Sequence, residues 1–100
     1  MERIILHCTY TCKPGMAPAF VKALKDSGAQ DKVRAEDGCL QYDYHLSCEV
    51  PDTVVLLEQW RDAAALEAHQ RQPHMDTIRS LKADYVQDFQ LERFEAGAAQ

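Results

Sequence analysis

No apolar run in this chain exceeds four residues, and the two of that length, Val54–Leu57 and Ala63–Leu66, fall far short of the roughly 20 that a membrane-spanning helix needs. The opening MERIILHCTY puts an acid at position 2 and enters a strand-like pattern with no small-residue cleavage site. A cytoplasmic protein without a targeting segment is therefore expected. Basic residues are scarce and scattered: 11 Lys+Arg stand against 16 Asp+Glu, and the net charge of -5 repels phosphate backbones and anionic lipid alike. Neither nucleic acid nor a membrane surface is expected as a partner. The four cysteines, Cys8, Cys12, Cys39 and Cys48, contain no C-x-x-C pair, which removes the zinc-ribbon and dithiol redox patterns. On one strand, Cys8 and Cys12 would lie about 13 Å apart, too far for a disulfide. All four read as small buried hydrophobes in a reducing compartment. Internal repeats and low-complexity linkers are missing too, so the chain reads as one domain over residues 1–95 with a loose tail at 96–100.

What is present alternates between two periodicities. Residues 3–12, RIILHCTYTC, are β-branched and aromatic and end in the turn KPG, a first strand. Met16, Phe20, Val21 and Leu24 then fall at helical spacing, and EDG at 36–38 stops the run, with Gly28 a weak point, giving one long helix or two shorter ones. In CLQYDYHLSC, Leu40, Tyr42, Tyr44 and Leu46 alternate against polar residues, a second strand. VVLLEQW is the third, and its four consecutive apolar residues ask for cover on both sheet faces, with a second copy of the same sheet as the simplest second cover. Glu58 on this strand is a candidate second base, but is read first as facing away from the helices and pairing with Arg or Tyr across a dimer. Asp62 is a candidate N-cap for the helix in AAALEAH, which Pro73 ends or kinks. A further helix carries His74, Ile78, Leu81 and Tyr85 on one stripe. VQDFQLERFE closes as a fourth strand, with Phe89 and Leu91 on one face and Val86 and Phe94 on the other. The order strand, helix, strand, strand, helix, strand predicts an α+β, ferredoxin-like split βαβ domain with a four-stranded antiparallel sheet.

Within LEAHQRQPHM, His69 and His74 are five residues apart, about 140° around a helix, where a zinc-binding helix uses i and i+4. No carboxylate or further histidine is spaced to complete a metal site, so no metal is expected. His69 shares a face with Ala65 and Leu66, His74 with Ile78, so both rings point inward, beside the strand that carries Glu58 and Trp60. Packed histidines donating to carbonyls are one reading, and an acid or base at an apolar pocket the other. His7 and His45 cannot be assigned to the pocket from their strands.

KPG (13–15), EDGCLQYDYHLS (36–47), VVLLEQWRDAAALEAHQRQPHM (54–75) and Phe94-Glu95 together resemble the antibiotic biosynthesis monooxygenase (ABM) domain family, and within it the small quinol monooxygenases. The resemblance implies a dimeric α+β barrel and oxygenation of a quinol or polycyclic phenol by dioxygen with no cofactor. It further implies His69 or His74 as proton acceptor in a pocket walled by Trp60 and Tyr44. Haem-degrading relatives use an asparagine, a tryptophan and a histidine at places that fall here on Cys8, His69 and Arg79, so haem degradation is disfavoured and Arg79 becomes a partner for an anionic substrate. A third branch implies isomerisation of a phosphorylated sugar-derived signal, for which His69, His74 and Arg79 would supply base, acid and anion contact. A non-catalytic, ligand-binding dimer is the remaining alternative.

Overall fold

The computed structural model describes residues 2–97. Strand β1 (Arg3–Cys12) is followed by helices α1 (Ala17–Asp26) and α2 (Ala29–Arg34), strands β2 (Cys39–Leu46) and β3 (Thr53–Trp60), helices α3 (Ala63–Gln70) and α4 (His74–Tyr85), and strand β4 (Val86–Ala96). The sheet order is β2-β3-β1-β4 with every neighbour antiparallel, and the helices cover one face, the ferredoxin-like arrangement. Gly28 breaks the first helical run in two: at φ 77° it adopts a left-handed conformation that glycine takes without a Cβ penalty.

The period of two on β1 is regular. Ile4, Leu6, Cys8, Tyr10 and Cys12 are buried against the helices, and the intervening residues are half-buried on the other face. On β3 the same rule selects Val54, Leu56, Glu58 and Trp60 for the helix side. Glu58 therefore does not face away from the helices: it sits two residues from Trp60 and shares its face, under α3. Phe20, Leu24, Val33 and Ile78 close the core from the helix side, each worth about 1.5–3 kcal/mol of burial. Asp62 caps α3, its carboxylate accepting the Ala65 N–H at 2.8 Å.

Two bulges shift the alternation. A register shift between Cys39 and Gln41 leaves Leu40 without a cross-strand partner and 56% exposed, while Tyr42 and Tyr44 keep the helix face. A second shift, at Thr11/Cys12, skips residue 87 of β4, so Val86 packs against the core, whereas Phe94 pairs with Ile5 on the opposite face. Phe89 and Leu91 lie opposite Tyr10 and Cys8 on the helix side. Cys8 and Cys12 are buried free thiols, but Cys48, in the β2–β3 turn, is exposed rather than buried. The final strand runs through Ala96; residues 98–100 of the expected tail lie outside the described residues. Among the described residues, no helix is long and apolar enough to cross a membrane.

Candidate active site

His69 stands at the centre of the chemistry-bearing residues. It lies in the last turn of α3 and is 3% exposed. Trp60 lies against its ring at 4.3 Å between centroids, and the Tyr42 ring meets it edge-on at 5.8 Å. Packed this way, the imidazole has one orientation. Its Nδ1 lies 2.9 Å from Glu36 Oε2, and the same carboxylate oxygen lies 2.8 Å from His74 Nε2. An ionised Glu36 carboxylate only accepts, so both ring nitrogens donate to it, and in a neutral His69 ring the remaining nitrogen, Nε2, is the acceptor edge.

That opposite edge faces a cavity of about 290 Å³ between the sheet and helices α3 and α4. Leu6, Leu66, Met75, Phe89 and Leu91 supply its apolar wall; Cys8, Tyr10, Glu58, His69, Gln70, Arg79 and Lys82 supply its polar atoms. Glu58 Oε1 lies 3.8 Å from His69 Nε2 and accepts the Trp60 indole N–H at 3.0 Å, while its Oε2 accepts the Cys8 S–H at 3.5 Å. Burial raises the Glu58 carboxyl above the ordinary range, and the Trp60, His69, Cys8 and Lys82 contacts only partly oppose it. Burial, reinforced by Glu58, pushes the Cys8 thiol up to about 12. Burial also lowers the Lys82 ammonium, which sits 5.1 Å over the Tyr10 ring and 5.3 Å over Phe89.

The residues anticipated from the sequence take different places. His69 and Arg79 line the cavity, as does Cys8. Arg79 stands at its mouth, donating to Asp76 at 3.1 Å and to the Gln70 carbonyl at 2.8 Å. Trp60 lies behind His69, and Tyr44, whose hydroxyl is 3.1 Å from that of Tyr42, is likewise not among the lining residues. His74 opens onto a second depression, an outer groove of about 560 Å³. His7 and His45 pair with Leu57 and Val55 on the far face of the sheet.

Glu36 is the residue that sequence reasoning missed. It sits in the α2–β2 turn, where EDG reads only as a helix stop. Gly38 makes the reach to His69 feasible: with φ 86° it brings the turn so close to α3 that a Cβ there would lie 2.5 Å from Ala65 Cβ. Glu58 was legible, since any residue two from Trp60 on a strand shares its face.

A ferredoxin-like domain with a histidine facing a partly open cavity between sheet and helices defines a class of small α+β proteins. Residues 3–81 match the antibiotic biosynthesis monooxygenase family, and the chain belongs to it. A curated Escherichia coli relative, "Probable quinol monooxygenase YgiN", is 34% identical over 64 residues, 55% of this chain; the match spans 62% of that relative's length. The crystal structure of PA3566 from Pseudomonas aeruginosa superposes with a TM-score of 0.84 at 33% identity, covering 98% of this chain and 97% of that one. Rv0793 from Mycobacterium tuberculosis superposes with a TM-score of 0.79 at 25% identity, covering 98% and 97%.

Proposed function

We propose that the chain is a monooxygenase that uses dioxygen on a quinol without flavin, haem or metal, with His69 Nε2 as the proton acceptor. The observation that carries this reading is the His69 ring itself, held through Nδ1 by Glu36 while its other edge meets an apolar cavity. A quinol hydroxyl, with a phenolic pKa near 10, gives its proton to an imidazole of ordinary pKa about 6.5 only if the phenolate is stabilised. Lys82 and Arg79 at the cavity are the cations available for that. Glu36 stabilises the resulting imidazolium without taking its proton. The electron-rich ring then reduces dioxygen: quinol plus O₂ gives a hydroxyquinone plus water, and the ring supplies all the electrons. The modest cavity suits one or two fused rings better than a longer polycycle.

In this reading His74 holds Glu36 in place, and Trp60 and Tyr44 support the pocket from behind its wall. A second copy of the chain covers the sheet face of Ile5, Val55 and Leu57, where no helix lies, giving a dimeric barrel; the exposed Phe94 on that face supports this. The free thiols support the reducing cytoplasm as its place of work. The same cations at the cavity favour, as a second reading, a phosphorylated sugar derivative isomerised through His69.

The test is oxygen uptake by chelator-treated protein with a panel of benzene and naphthalene quinols, beside an autoxidation control. Uptake above autoxidation that falls about 10²–10⁴-fold in His69→Ala supports the oxygenase. Uptake equal in both proteins overturns it and sends the work to a sugar-phosphate screen.

A further inference from the structure

We propose that Glu36, His69 and His74 form a binding site for a divalent first-row transition ion, and that occupancy of this site switches off His69 as a proton acceptor. The binding half stands on geometry alone; the switch rests on the reading of His69 given above.

Glu36 Oε2, His69 Nδ1 and His74 Nε2 come from three different elements, yet all lie within 4.8 Å of one another. Two imidazoles and a carboxylate form a donor set that holds zinc, cobalt, nickel or ferrous iron. Two ring nitrogens aimed at one carboxylate oxygen is a geometry shared by two N–H hydrogen bonds and by two metal–nitrogen bonds. A tetrahedral ion with bonds of about 2.1 Å separates its ligand atoms by roughly 3.4 Å. The carboxylate oxygen now lies 2.9 and 2.8 Å from the two nitrogens, so it withdraws by about half an ångström as the ion enters and the nitrogens close in. The spacing of five residues that argues against a metal on one continuous helix does not apply, because α3 ends at Gln70 and α4 starts at His74.

The ion has a route and room for water ligands. Glu36 and His74 both line the outer groove of about 560 Å³, which opens to solvent beside them. Of the cations on that groove, Arg61 is paired with Asp37 at 3.1 Å, and Lys32 is exposed.

The consequence on the other side of the ring follows from tautomerism. A neutral imidazole carries one N–H. With Nδ1 bonded to the ion, that proton moves to Nε2, where Glu58 Oε1 waits 3.8 Å away. No proton leaves the ring, but the edge facing the cavity changes from acceptor to donor. Trp60 packed on the ring prevents it from flipping to restore the acceptor.

The experiment titrates chelator-treated full-length protein with cobalt(II), in a Cys48→Ser background so that the exposed thiol does not compete. Visible d–d absorption reads binding, and ¹⁵N NMR of the His69 ring reads the tautomer while zinc(II) is added. One equivalent is expected to bind, at least tenfold more weakly in His74→Ala and in Glu36→Gln, and unchanged in His45→Ala. No saturable absorption, or equal binding in all variants, overturns the site. A His69 Nε2 that stays unprotonated with zinc bound overturns the switch. Oxygen uptake is expected to fall at least tenfold with one equivalent of zinc and to return with chelator. Absence of uptake in the metal-free protein counts against the oxygenase reading alone, because absorption and NMR still decide both halves of this proposal.

Discussion

The two sides of His69 treat charge in opposite ways. On the inner side, burial moves every shifted group toward its neutral form: the Cys8 thiol and the Glu58 carboxyl rise, the Tyr10 hydroxyl rises, and the Lys82 ammonium falls. On the outer side, solvent and pairing do the reverse. Hydrogen bonding to Arg61 lowers the Asp37 carboxyl, and hydrogen bonding to Asp37 raises the guanidinium. The His69–Glu36 pair lies between these regions, His69 lining the inner cavity and Glu36 the outer groove. A low-dielectric chamber favours proton transfer only if the charge it creates has somewhere to rest. In the proposed reaction Glu36 would balance the imidazolium from the far side of the ring, while Lys82 and Arg79 would face the phenolate in the cavity.

Removing the charge on Glu36 has the largest expected effect on the site. Glu36→Gln can still place a carbonyl oxygen where the two ring nitrogens converge, but it removes the carboxylate charge beside His69. Oxygen uptake is expected to fall about 10²-fold, with kcat carrying most of the loss. A variant within twofold of wild type would mean that the carboxylate charge beside His69 is not needed for the proton transfer.

The next effect is mechanical. Gly38→Ala places a Cβ in a backbone conformation at φ 86° that alanine adopts with strain, and 2.5 Å from Ala65 Cβ. The α2–β2 turn has to lift from α3, taking Glu36 with it. A loss of about 1–3 kcal/mol is expected, read as a fall in melting temperature of at least about 4 °C. If the lift is what matters, Gly38→Ala in an Ala65→Gly background recovers part of the loss; no recovery would assign the whole cost to φ.

How far the sequence disclosed all this depends on whether a feature is local. β1 is legible at both ends because its alternation is unbroken and KPG closes it. The Asp62 cap and the Pro73 break are local signals and were read directly. Leu40 and Val86 were misplaced because a bulge adds one residue, and one residue reverses a face without leaving any mark in composition. His69 was visible from its helix face. Its partner Glu36 was not, because the contact spans 33 residues and depends on a glycine whose close approach to α3 exists only in the folded chain. Glu58 lay between these cases: four apolar residues in a row hide the parity of β3, and counting back from Trp60 restores it.

The smallest expected effect is the one that best measures how dry the inner side is. Cys8 lines the cavity and donates to Glu58, and its native pKa of about 12 compares with 9.0 when the chain is unfolded. Below pH 9 both states keep the proton, and Cys8 contributes no pH dependence. Between 9 and about 12 the unfolded thiol ionises while the native one does not, so the native state binds more protons and stability falls as pH rises. The slope from one such group is at most about 1.4 kcal/mol per pH unit. Cys12 and Cys39 are raised as well, and the buried tyrosines join above pH 10, so the total decline is not specific to the cavity. Cys8→Ser isolates it: serine can keep a hydrogen bond to Glu58 but does not ionise in this range. Urea melts at intervals from pH 8 to 10 are expected to show wild-type stability falling more steeply than that of Cys8→Ser once pH passes 9. Parallel curves would mean that water reaches Cys8, and that the contrast between the two sides of His69 comes from charge pairing on the outer side rather than from exclusion of water on the inner one.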